Sequence, residues 1–238
     1  MLVFTQGFLT FEVRKEIDNM SANNRFTKGE EIAHSVSHGL GAVFATVALV
    51  LMAVFSAKYG TVWHVVSYVV YGSFLVLLYI SSTLNHSLPF GSKGKDFFHN
   101  FDQIAIFLFI AATYTPIALV VIRHDWGWVM FGIEWGLALT GVILKVFLPN
   151  KFEKGVALFY VISYVVMGWL LLMFLIPLYK NMHPTGMMLI FIGGGCYTLG
   201  VLFFKLEKIK YSHLIWHLMV IAGSVCHWVA IFKYGLFY

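Results

Sequence analysis

Residues 43–54 read VFATVALVLMAV, and residues 162–176 read ISYVVMGWLLLMFLI. Neither alternates apolar and polar positions with a period of two, as barrel strands of about ten residues do. Wound as helices, both are apolar on every side, the pattern of helices buried in lipid and protein. About 20 such residues cross the hydrocarbon core of a bilayer. Taking charges and Pro/Gly clusters as punctuation gives seven spans, roughly 32–56, 61–83, 101–122, 126–146, 155–178, 185–204 and 211–232. The expected fold is an all-α integral membrane protein of seven transmembrane helices. Residues 1–30 form its N-terminal segment and 31–238 its transmembrane domain.

Composition agrees. Of 238 residues, 60% are hydrophobic and 11% charged, against about 45–50% and about 25% in soluble domains. That excludes an ordinary soluble domain and a disordered chain. The net charge of +5 comes from 16 basic residues scattered among apolar runs, so no continuous surface exists to track phosphates and nucleic acid is excluded as a partner. Cys196 and Cys226 lie in apolar segments far apart in sequence, which argues against a disulfide framework or a cysteine zinc site.

Lys/Arg bias sets the expected orientation. Arg14, Lys15, Arg25, Lys28, Lys93, Lys95, Lys145, Lys151, Lys154, Lys205, Lys208 and Lys210 fall on the N-terminal side, against Lys58, Arg123, Lys180 and Lys233 on the other. The N-terminus is therefore expected in the cytoplasm and the C-terminus outside, in a multi-pass protein of the cell membrane. Residues 1–13, MLVFTQGFLTFEV, lack both a basic start and a small-residue cleavage site. They read as a mobile or interface-lying segment rather than a signal peptide.

Ionisable residues in membrane spans are costly, and so are candidates for function. His34 and His38 follow Glu30 and Glu31 in the first span, Ser82 and His86 end the second, Asp102 begins the third, and His213 and His217 open the seventh. By the orientation above, all fall in the cytoplasmic leaflet. His213 and His217 are i and i+4, so both project from one helix face, as do Ser82 and His86. His86, His213 and His217, without cysteine, suit zinc. Three ligands and a water are the catalytic pattern, four protein ligands the structural one. Asp102 and Ser82 are then the candidate catalytic groups, and His38 and Glu31 flank the metal without binding it.

Plainer readings stand beside these. Interfacial histidines bonded to backbone carbonyls would produce the same pairs, His38 reads as polar packing, and Asp102 suits a helix N-terminus. Glu134, inside the fourth span, reads as a structural hydrogen-bond partner. His227 lies too far along the seventh span to share a metal with His213 and lines a cavity instead. Trp126, Trp128 and Tyr179 read as interface anchors, Pro116 and Pro177 as kinks, and 193–195 (Gly-Gly-Gly) as a site of close helix packing or unwinding.

The segments EEIAHSVSHGLGA (30–42), SSTLNHS (81–87), FDQIAIFLFIAATYTP (101–116) and SHLIWHLMVIAGSVCHW (212–228) together resemble the hemolysin III family. That family is the bacterial branch of the progestin and adipoQ receptors, in a superfamily shared with alkaline ceramidases. The resemblance covers about 30 to 232. It implies seven helices with the amino terminus inside, and zinc on His86, His213 and His217 with Asp102 and Ser82 beside the metal's water. The chain departs at His34, where many relatives are expected to carry Asn.

Three functions are then open. A ceramidase-like zinc hydrolase would cleave a lipid amide or ester, with Asp102 as general base. A non-catalytic regulator or receptor-like protein would use structural zinc to sense membrane lipids. A pore-forming cytolysin is the third, although no span carries the polar stripe that lines a channel. Membrane lipids are the expected partners in the first two.

Overall fold

The computed structural model describes residues 26–147, 153–206 and 208–237. Seven helical spans, each long and apolar enough to cross a membrane, run Lys28–Tyr59, Val62–Ser87, Lys93–Val121, Arg123–Phe147, Leu158–Asn181, Pro184–Lys205 and Ser212–Leu236. No strand occurs among the described residues. The expectations for 1–13 and for most of the N-terminal segment lie outside them.

Local chemistry sets the helix starts. Thr27 caps the first span: its Oγ1 accepts from the Glu30 N–H at 3.3 Å, and Glu30 Oε2 accepts from the Thr27 N–H at 2.9 Å. This reciprocal box satisfies donors that a helix N-terminus otherwise leaves open. The third span starts earlier than hydropathy indicates. Ser92 Oγ accepts from the Lys95 N–H at 3.1 Å, and the helix is continuous from Lys93 to Pro116. Its first two turns, KGKDFFHN, carry too much charge for an apolar window to include. Asp102 consequently sits well inside the helix and caps nothing.

Both prolines mark breaks. Past Pro116 the third span widens into a π-turn, Ile117–Val121, since proline offers no N–H to the carbonyl four residues back. The fifth span tightens to 3-10 geometry over Leu170–Phe174 and resumes as Leu175–Asn181. Pro177 then occupies a first turn, where its missing N–H goes unneeded. The glycines at 193–195 lie in a continuous helix, so the segment is not unwound, and of the three Gly193 serves close packing. A Cβ on Gly193 would overlap the His227 ring and stand 3.0 Å from the Gly223 carbonyl of the seventh span.

The first span packs on the second and seventh, the second on the third, the third on the fourth, and the sixth on the seventh. The third span is the most enclosed. Tyr68, Tyr71, Leu75 and Tyr79 of the second span form the core with Met52, Ala105, Phe109 and Ile117. On the outside, the first span presents Val36, Leu40, Val43, Val47, Val50 and Val54, an apolar face suited to lipid. Trp126, Trp128 and Tyr179 are likewise exposed, as interface anchors must be.

The inner face of the first span has a different character. Its buried residues run Glu30, His34, Ser37, His38, Gly41, Ala45, Ala48, Met52 and Ser56. Small residues occupy its middle, and a Cβ on Gly41 would stand 2.7 Å from the Tyr79 ring. The neighbouring helices approach closely there, and this draws the polar residues of the first turns against those of the second and seventh spans.

Candidate metal centre

Five histidines converge at one end of the bundle: His34 and His38 from the first span, His86 from the second, and His213 and His217 from the seventh. The ligand atoms of His34, His86 and His213 all lie within 4.8 Å of one another, close enough to hold a metal ion. His217, expected as a ligand, is not in that ligand-atom group, but its ring packs against all three, with centroids 4.8 Å from His213, 5.1 Å from His86 and 5.2 Å from His34. His38 stacks flat on His217 at 3.6 Å.

Hydrogen bonds fix the orientation of two rings. His86 Nδ1–H donates to Glu31 Oε2 at 2.6 Å, while Lys95 Nζ donates to Glu31 Oε1 at 2.9 Å. One carboxylate thus links the first three spans. With Nδ1 as donor, His86 Nε2 keeps its lone pair for a metal, the usual arrangement of a ligating imidazole backed by a carboxylate. His217 Nδ1–H donates to the His34 carbonyl at 3.1 Å and to Ser37 Oγ at 3.0 Å. Ser37 passes its own proton to the same carbonyl at 2.8 Å. A carbonyl can only accept, so His217 likewise has its lone pair on Nε2.

Asp102 and Ser82 take other partners. Asp102 accepts from Ser81 Oγ at 3.4 Å and from Asn85 Nδ2 at 3.3 Å, the latter immediately before His86 and the former just over a turn before it on the second span. Ser82 Oγ meets His38 Nδ1 at 2.7 Å. The structure therefore places Ser82 against His38 and Asp102 against Ser81 and Asn85. His38 packs flat on His217 while its Nδ1 bonds Ser82, and Glu31 orients His86.

Phe26, outside every sequence-derived candidate, roofs the cluster. Its ring centroid lies 4.8 Å from His34, 4.9 Å from His213 and 6.2 Å from His86. The available signal was its position immediately before the Thr27–Glu30 capping box, where an apolar residue commonly fixes how the chain enters the helix. The loop before the seventh span is tied down beside it: Tyr211, in left-handed conformation at φ 59°, donates its N–H to Glu30 Oε1 at 2.9 Å.

Two other polar residues sit apart. Nε2–H of His227 donates to the Ile190 carbonyl at 2.9 Å, and its ring lines a small internal cavity with Tyr114, Trp169 and Gly194. Glu134 is fully buried, and neither carboxylate oxygen has a hydrogen-bond partner, so the structural hydrogen bond expected of it is not made.

Seven apolar helices with a buried histidine layer at one end define a polytopic membrane protein with a candidate metal centre. Comparison with known proteins narrows the class. Residues 26–228 match the family model described as haemolysin-III related. The chain is 39% identical over 219 residues to Hemolysin-3 of Bacillus cereus, spanning 92% of this chain and 97% of that protein. It is also 39% identical to the Hemolysin-3 homolog of Bacillus subtilis (strain 168), over 90% of this chain and 96% of the relative. The human Monocyte to macrophage differentiation factor is 31% identical over 90% of this chain and 88% of its own. The chain belongs to the haemolysin-III-related family, and it is a multi-pass protein of the cell membrane.

Proposed function

We propose that this is a zinc-binding membrane protein that senses or acts on membrane lipids, with the metal joining the second and seventh spans through His86, His213 and His217. The observation that carries the reading is the Glu31–His86 hydrogen bond of 2.6 Å. It fixes the ring and leaves its other nitrogen directed by geometry rather than by chance. A set of imidazoles without thiolates suits zinc among the divalent metals. By the Lys/Arg bias the site lies in the cytoplasmic leaflet, where it would respond to lipid headgroups and acyl carbonyls.

In the form the geometry favours, zinc is a joint. Lipid occupancy between the spans shifts a balance of packings, and the histidines hold one of them. The second form is a lipid amide or ester hydrolase, favoured by the carboxylate of Asp102 buried beside the helix that carries His86. Zinc, when bound, supplies Lewis acidity toward a carbonyl. Asp102, held by Ser81 and Asn85, would then accept a proton as general base. A cytolytic pore has only the name of the Bacillus relatives behind it.

Detergent-purified protein incubated with lipid amides and esters separates the two forms. As a joint, the wild type gives no turnover above a zinc-free control, and zinc removal lowers thermal stability. Turnover abolished by Asp102→Ala with zinc retained would establish the hydrolase instead.

A further inference from the structure

The zinc reading accounts for three histidines, and His34 remains. Its side chain is wholly buried, at 0% exposure, and neither ring nitrogen has a hydrogen-bond partner. The other buried histidines each have at least one: His38 with Ser82, His217 with the His34 carbonyl, His227 with the Ile190 carbonyl. An unsatisfied buried donor or acceptor costs about 1–3 kcal/mol. A metal ion bound at one ring nitrogen would relieve one of these two costs.

The position of His34 suits such an ion. The six centroid separations among His34, His86, His213 and His217 are 4.9, 4.8, 5.2, 5.2, 5.1 and 4.8 Å. Four points with six nearly equal separations form a regular tetrahedron, and its centre lies roughly 3 Å from each ring centre. Zinc–imidazole bonds of about 2.0–2.1 Å put the metal at roughly that distance from the ring centre, in tetrahedral geometry. His34 is also one of the three residues whose ligand atoms already lie within 4.8 Å of one another.

We propose, resting on the zinc reading above, that His34 is itself a metal ligand, so that His34, His86, His213 and His217 close a four-imidazole site. The first span thereby joins the second and seventh at the metal. Its contribution is double, since the His34 backbone carbonyl also orients the His217 ring. A site with four protein ligands is of the closed, structural kind, whereas a catalytic one keeps a position open. His34 thus decides between the two forms of the function: with it bound, zinc is a joint among three helices and holds no open coordination position.

The test is X-ray absorption at the zinc edge of metal-replete wild type in detergent, beside chelator competition for wild type and His34→Asn. Four imidazoles in the wild type are expected. In His34→Asn the expected result is three imidazoles and an oxygen, with zinc affinity reduced at least tenfold. Three imidazoles plus an oxygen in the wild type would overturn the assignment of His34 while leaving zinc in place. Equal affinity in the two proteins would do the same. A wild type that holds no zinc would overturn both this inference and the reading beneath it. The wild-type spectrum gives its answer even if His34→Asn does not fold.

Discussion

Both oxygens of Glu31 are engaged, one by His86 and one by Lys95, and this residue illustrates how much of the site depends on groups that never touch the metal. Removing the charge in Glu31→Gln keeps the shape but weakens the acceptor that holds His86 Nδ1–H. Outer partners of metal-bound histidines are typically worth about 10–100-fold in affinity, so zinc affinity of Glu31→Gln is expected to fall by that factor, measured by chelator competition. An unchanged affinity would mean that His86 needs no orienting. At this scale span counting puts His86, His213, His217, Ser82, Asp102, His38 and Glu31 at one depth, and of these the structure brings the five-histidine cluster's His86, His213, His217 and His38 together with Glu31. What sequence could not give was pairing. That Ser82 meets His38, that Asp102 meets Ser81 and Asn85, and that Phe26 covers the rings depend on helix rotation and on contacts between distant segments.

Among the elements, the sixth and seventh spans show most clearly how small residues set the approach of two helices. Gly193 and Gly223 bring the two backbones together, and any side chain at 193 must displace His227. Overpacking a tight interior costs about 1–3 kcal/mol, occasionally more. Gly193→Leu is therefore expected to lower the thermal midpoint in detergent, while Gly195→Leu, whose Cβ meets nothing within 4 Å, is expected to leave it nearly unchanged. Equal effects at the two positions would point to helix propensity rather than packing. A second element carries a cap of measurable worth. Thr27→Ala removes the side-chain half of the capping box that starts the first span, at a cost of about 1 kcal/mol, and the same scan would register it. Element existence followed from hydropathy without error in number, because seven apolar runs of sufficient length are unambiguous. Boundaries followed less well. The amphipathic start of the third span at Lys93 hides from an apolar window, and the 3-10 segment at Leu170–Phe174 lies before Pro177 rather than at it.

For the whole molecule, zinc acts as a ligand of the folded bundle alone, so it stabilises by mass action. At a thousandfold excess over the dissociation constant this amounts to about 4 kcal/mol. At about 2–4 °C per kcal/mol for a chain of this size, stripping the metal is expected to lower the thermal midpoint on the order of 10 °C, and zinc readdition to restore it. A melting curve indifferent to zinc would leave the histidine layer without its structural role. The three spans that bring histidines to the cluster are the first, second and seventh, and the first packs on both of the others. The most direct measurement is the zinc content of metal-replete, detergent-purified wild type beside His86→Ala and His213→Ala. One zinc ion per chain in the wild type and loss from both variants is the predicted result, and a wild type without zinc, or variants that retain it in full, would contradict it.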